Sequence, residues 1–207
     1  MIQTVKDSDT RPWFFLQTAH TTYGMRVMET GHLEHLYYGE RITVDAQDSA
    51  SCVPLIIQRA FTPGNTCTYD REHPQISMED ICLEVGTLGK GDIREPFLEV
   101  RFADGSVTSD FTFDSYKVIT LKEREQCLQD SGLPHSYSET ETDSAECLQI
   151  VLQDVTNRLE LQLFYTVFEE CDVITRSARL INHSDATVTL DRCLSAQLDL
   201  TEDYSVI

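Results

Sequence analysis

Apolar residues return at every second position between Thr187 and Leu200, and that alternation restricts what the chain can build. Val188, Leu190, Leu194, Ala196, Leu198 and Leu200 share one side, with Arg192 the single break. Side chains of an extended strand point alternately to opposite faces, so this spacing predicts a long strand with one dry and one wet face. Antiparallel sheets permit that division, whereas parallel sheets, covered on both faces, rarely do. A strand this regular needs neighbours and a layer to pack on, yet the sequence stops at Ile207 without a turn signal. The expectation is of a chain cut short, with part of its function in residues beyond it.

The same rhythm recurs upstream. Leu148, Ile150 and Leu152 alternate with polar or smaller neighbours, a turn is expected at Asp154 to Asn157, and Leu159, Leu161, Leu163, Tyr165 and Val167 resume the pattern. Val173 to Asn182 is a further candidate, turning at His183-Ser184-Asp185 into the terminal strand. Nearer the start, strands are predicted at Trp13 to Gln17, Thr22 to Glu29 and Leu33 to Tyr38, with shorter ones at Ile42 to Val44 and Val53 to Ile57. Leu98 to Phe102 and Val107 to Phe113 flank Asp104-Gly105, a tight-hairpin signal, and Ser115 to Leu121 adds another strand. Phe61 to Glu84 breaks the rhythm and reads as a long loop, and Glu123 to Glu146 as a solvated acidic connection. No segment shows a convincing helical period. The fold class is all-β: one domain over residues 1–207, a large antiparallel β-sandwich with few or no helices.

A chain of 207 residues that is 41% hydrophobic can bury one sizeable core. Lys and Arg total 16 against 35 Asp and Glu, a formal net charge of −19. So negative a surface repels phosphate backbones and anionic lipid, which argues against nucleic acid and membrane as partners and leaves neutral substrates, sugars included, open. Seven scattered cysteines with no Cys-x-x-Cys spacing point to reduced thiols in a reducing compartment. The first residues lack the apolar stretch of a signal peptide, and no apolar run is long enough to span a bilayer, so a cytoplasmic location is expected.

Few constellations suggest chemistry. His32 and His35 lie three apart in a strand pattern, which sends their rings to opposite faces and keeps them from sharing an ion. No metal or organic cofactor is indicated by any motif. Glycoside hydrolysis needs two opposed carboxylates, but 35 acidic residues say nothing about any one pair. Trp13, Tyr37 and Tyr38 could stack on sugar rings, although aromatics on strands are more often core. The densest polar cluster runs from Gly89 to Pro96, where glycines permit sharp turns and Asp92, Arg94 and Glu95 can pair across them. Two readings stay open there: an Asp92–Arg94 ion pair that fixes the loop, or an Arg94 that lines a sugar or subunit interface.

Six segments, in order, carry a resemblance. They are Leu16-Gln17-Thr18 with Thr22-Tyr23, Gly31-His32-Leu33-Glu34-His35-Leu36-Tyr37-Tyr38-Gly39, Gly91-Asp92-Ile93-Arg94-Glu95-Pro96, Asp104-Gly105-Ser106, Val173 to Arg179, and Leu194 to Leu200. Together they resemble the opening of the family 36 glycoside hydrolases, the microbial α-galactosidases. Each motif is weak alone, and the shared order and spacing make the set specific across essentially the whole chain. The resemblance implies an N-terminal β-supersandwich that precedes a catalytic (β/α)8 barrel and a small C-terminal β domain. It implies that this chain holds no catalytic residue, because both catalytic aspartates belong to the barrel. It further implies α-galactosides such as melibiose and raffinose-type sugars as substrates, no cofactor or metal, and a homo-oligomer, a tetramer in bacterial members.

In that family a loop of the sandwich reaches a neighbouring subunit's pocket with an Asp and an Arg. The Asp position, just before Arg-Ala-Phe, matches Gln58 ahead of Arg59-Ala60-Phe61. An amide can still bond a sugar hydroxyl but cannot act as a charged acceptor. The Arg position matches Asp70-Arg71 ahead of Ile76-Ser77-Met78-Glu79, with extra residues including His73-Pro74 between. The resemblance thus nominates Gln58, Arg59, Asp70 and Arg71 for substrate, with Asp92, Arg94 and Glu95 as interface or loop-fixing candidates. A non-catalytic carbohydrate-binding or assembly module is the alternative function.

Overall fold

The alternation of the sequence becomes the inner faces of a sandwich. The computed structural model describes residues 1–57, 67–129 and 145–199. Among them the elements run β1 (Ile2–Lys6), β2 (Pro12–Gln17), β3 (Thr21–Val27), β4 (Leu33–Glu40), β5 (Leu98–Arg101), β6 (Thr112–Thr120), α1 (Leu121–Leu128), β7 (Glu146–Asp154), β8 (Leu159–Phe168), β9 (Val173–Asn182) and β10 (Thr189–Cys193). One sheet has the order β1-β2-β3-β4, a second β6-β7-β8-β9, and β5 pairs separately with β10. All strand pairs are antiparallel.

The eight alternating residues expected on the dry faces of β7 and β8, from Leu148 to Val167, are all 1% exposed or less. They meet Phe14, Leu16, Tyr23, Met25 and Val27 of the other sheet in one cluster, to which β5 adds Leu98 and Val100. Each such side chain contributes about 1.5–3 kcal/mol by leaving water, and a one-residue slip would turn the whole row outward. Every residue of β2 is buried, and parity divides them. Phe14 and Leu16 face the central cluster, while Trp13 and Phe15 join Val5, Leu36 and Cys52 on the outer side. Gly24 sits opposite a bulge in β3–β4, where an added Cβ would lie 3.2 Å from the Phe15 ring.

Several expectations are corrected. Val53 to Ile57 is no strand: a 3-10 turn over Ser49–Leu55 begins with the Asp48 side chain accepting from the Ala50 amide. Short apolar runs do not reveal their period, and Pro54 has no amide to give to a ladder. Ile42 to Val44 is likewise irregular, although Val44 packs on the outer cluster. The terminal strand is shorter than its pattern, ending at Cys193, and a bulge between Leu190 and Arg192 breaks its parity. Leu190, Leu194 and Leu198 are 49%, 39% and 46% exposed, so the alternation there is not matched by burial; Leu200 lies outside the described residues. β9 and β10 do not form a hairpin, since β10 pairs with β5. The Asp104-Gly105 turn closes, with Phe102 N donating to Ser106 O at 2.9 Å, yet the chain after it stays irregular until β6 begins at Thr112.

The stretch read as a solvated connection opens with α1. Thr120 Oγ1 accepts from the Glu123 amide and the Glu123 side chain reaches back to the Thr120 amide, a reciprocal cap that satisfies two orphan donors. α1 buries Leu121, Arg124 and Leu128. Residues 130–144 lie outside the described residues. In the expected loop of Phe61 to Glu84, residues 82–84 run beside β4: His35 N donates to Cys82 O at 2.7 Å and Glu84 N to Leu33 O at 3.0 Å. That contact delivers the Glu84 side chain between the two sheets.

Candidate functional site

Glu84 is fully buried, and four side chains from four strands converge on it. Tyr23 of β3 donates its hydroxyl to Oε1, Tyr165 of β8 donates to Oε2 at 2.8 Å, and His35 Nδ1 lies 3.3 Å from Oε1. Arg176 of β9 lies 3.9 Å from Oε2 and donates to the main-chain oxygen of Glu84 at 2.9 Å. Burial alone would raise the Glu84 carboxyl, but the His35 hydrogen bond and the Arg176 charge outweigh it and hold it below its ordinary range. Burial, with the Glu84 charge adding to it, pushes the hydroxyls of Tyr23 and Tyr165 up. A carboxylate with three hydrogen-bond partners and a cation beside it reads as a structural anion.

Arg176 also spans outward. Its guanidinium lies 4.5 Å over the Phe97 ring and donates to Ser195 O at 3.2 Å. A cavity of about 200 Å³ opens beside it, lined by Tyr23, Tyr38, Tyr165, Arg176 and Leu198 among others. The neighbouring loop grips the same segment, residues 195–199. Arg94 donates to both oxygens of Asp92 and to the carbonyls of Met78 and Ile81, while Nη1 reaches Asp199 at 2.7 Å. Gly86 N donates to Gln197 Oε1 at 2.8 Å. Residues 195–199 are therefore pinned at three points, by Arg176 at Ser195, by Gly86 at Gln197 and by Arg94 at Asp199.

With this geometry, comparison with known proteins is direct. A profile of the "Glycosyl hydrolase family 36 N-terminal domain" matches residues 31–207. This chain belongs to that family. The domain is 36% identical over 191 residues to the bifunctional alpha-galactosidase/sucrose kinase AgaSK of Mediterraneibacter gnavus, covering 91% of this chain and 19% of that protein. It is 34% identical over 195 residues to alpha-galactosidase AgaA of Geobacillus stearothermophilus, covering 94% of this chain and 25% of that protein. Its fold is similar to the crystal structure of the alpha-galactosidase from Lactobacillus brevis, with a TM-score of 0.79 and 33% identity over 95% of this chain and 24% of that one. An AgaA variant in complex with raffinose aligns with a TM-score of 0.74 and 29% identity over 89% of this chain and 24% of that one. The family 36 domain thus spans about a quarter or less of the relatives it matches.

Of the residues nominated from sequence, Asp70, Arg71, Asp92, Arg94 and Glu95 fall among the described residues. Gln58 and Arg59 lie outside the described residues. Asp70 is engaged locally: its Oδ1 accepts from the amides of Glu72 and His73, and the His73 ring lies 2.9 Å away. Arg71 is exposed. Asp92 and Arg94 form the clamp just described, and Glu95 pairs with Arg192 of β10. Trp13 is buried, Tyr37 is half-buried and bonds Glu40 O, and Tyr38 presents its ring at 46% exposure. His32 and His35 diverge, His32 to Asp110 and His35 to Glu84.

Two features of the family 36 domain escaped sequence reasoning. One is Glu84, placed in an expected loop; the buried hydroxyls of Tyr23 and Tyr165 were the available signal, since such groups require a partner. The other is Asp110, which accepts from His32 Nε2 at 2.9 Å, Tyr69 Oη at 3.0 Å and Lys90 Nζ at 3.0 Å. It ties the β3–β4 turn to two loops.

Proposed function

We propose that the chain is the N-terminal sandwich of a cytoplasmic, retaining alpha-galactosidase that releases terminal alpha-galactosyl residues from melibiose- and raffinose-type sugars. In that enzyme one aspartate attacks the anomeric carbon and a second protonates the leaving oxygen, both supplied by a barrel outside these 207 residues. The sandwich packs on the barrel, shapes the outer rim of its pocket and supports a homo-oligomer, a tetramer. The observation that carries the reading is the shared fold, 95% of this chain on 24% of an alpha-galactosidase. Three further features support it. A formal charge of −19 suits a neutral sugar. The buried carboxylates of Glu84, Asp92 and Asp154 are each occupied by structural donors. The clamp on residues 195–199 gives a following domain a fixed point of departure.

The reading is tested by assaying a chromogenic α-galactoside with the 207-residue chain and with the polypeptide encoded by the reading frame continued past Ile207. Turnover by the longer polypeptide alone is expected. Turnover by the 207-residue chain, or a continuation without two carboxylates essential for activity, overturns it; galactoside affinity in an assembly that never hydrolyses would favour a carbohydrate-binding module.

A further inference from the structure

A second cavity, of about 440 Å³, opens beside the β3–β4 turn and is distinct from the Glu84 network. Its size falls in the range of about 300–1,000 Å³ usual for small-molecule sites. Glu34 of β4 lines it, with a side chain 2% exposed. Its Oε2 accepts from Arg26 Nε at 2.6 Å, and no second donor among the described residues reaches the carboxylate. A buried carboxylate with spare acceptor capacity is costly unless a donor arrives. Burial raises the Glu34 carboxyl even though the Arg26 charge opposes it.

The rest of the lining narrows the ligand class. Among the described residues, two guanidiniums and four carboxylates line the space, a balance that disfavours an anion. A wholly apolar guest would leave the Arg26–Glu34 pair unsolvated, at a cost no packing repays. Ile56 and Ile81 nevertheless offer apolar walls. Alternating C–H faces and hydroxyl edges match such a mixture. Adjacent hydroxyls can donate to Glu34 and accept from Arg26, each bond strengthened by the charge it meets.

We propose that this cavity is a binding site for a neutral, polyhydroxylated ligand, a saccharide, with Glu34 as acceptor and Arg26 as donor to neighbouring hydroxyls. The site follows from its own chemistry, and the use of raffinose as one probe rests on the alpha-galactosidase reading.

The molecule carries its own reporter. Trp13 is the single tryptophan, and the Arg26 guanidinium lies 5.1 Å over its ring. The 207-residue chain is titrated with raffinose, maltose and spermidine, following Trp13 fluorescence with calorimetry in parallel. A saturable change with matching heat is expected for at least one saccharide. Glu34→Gln should weaken it roughly tenfold, the value of a charge-assisted hydrogen bond. Gln75→Tyr, at the exposed rim, should weaken it severalfold by narrowing the entrance, and it decides the matter where Glu34→Gln fails to fold. A response to spermidine without one to saccharides would assign the space to a cation and overturn the proposal. No response to either saccharide, or a response that survives both substitutions, would overturn it equally. Hydrolysis by the longer polypeptide is read separately, so failure of one reading leaves the other standing.

Discussion

Arg176 holds Glu84 twice: its Nη2 donates to the Glu84 main-chain oxygen at 2.9 Å and lies 3.9 Å from the Glu84 carboxylate. Removing the cation strands a buried anion between the sheets. Arg176→Met should cost about 3–5 kcal/mol, the range for breaking one partner out of a buried pair. Equilibrium urea unfolding would show it as a lower midpoint at an unchanged slope. Arg176→Lys should recover only part of the loss, because one ammonium cannot serve Glu84, Ser195 and the Phe97 ring together.

Acid should weaken the fold through Asp110. Burial would raise its carboxyl, but hydrogen bonds and charge from His32 and Lys90 outweigh that and hold it at about 2. The unfolded chain, with an ordinary aspartate, takes up the proton first. The stabilisation is therefore complete above about pH 4 and disappears as pH falls towards 2, amounting to about 2 kcal/mol. Asp110→Asn should flatten the dependence of the unfolding midpoint on pH across that window. Glu84, also lowered, adds a slope of the same sign that Asp110→Asn leaves in place.

The cap of α1 makes a smaller, local prediction. Thr120→Ala removes the acceptor of the Glu123 amide and should cost about 1 kcal/mol. Hydrogen exchange at the Glu123 amide should rise more than exchange in β7, which separates fraying of the helix from a general loss of stability.

Arg94→Ala would remove the Arg94 contact to Asp199 and the side-chain donor that the carbonyls of Met78 and Ile81 share with main-chain amides. Amide exchange across 195–199 should accelerate at least tenfold while β7 and β8 keep their protection. Unchanged exchange there would mean that Gln197 and Arg176 suffice to hold the segment.

What could be read in advance followed from burial. The registers of β7 and β8 were legible because one face of each is wholly dry, so every second residue is constrained. β10 shows the same spacing without the burial, because its bulge resets parity and its leucines stay partly exposed. The start of α1 was legible in principle from Thr120-x-x-Glu123, but the polar residues around it conceal a helix that buries only one narrow side. Asp92 and Arg94 could be paired from their spacing of two, whereas Asp199, 105 residues away from Arg94, could not. Glu84 was invisible for a similar reason: its partners come from β3, β4, β8 and β9, and only the assembled sandwich brings them together.

The pairing of β5 with β10 sets a timetable. Leu98 and Val100 are made early, yet the strand that closes on them arrives roughly ninety residues later, as the Val100–Leu190 register shows. Loop closure over such a separation is slow, and an unpaired apolar edge is exposed to other chains in the meantime. On a ribosome, the first sheet can zip while β5 waits, so shielding of that edge, by a chaperone or by slow elongation, should govern how much of this polypeptide matures.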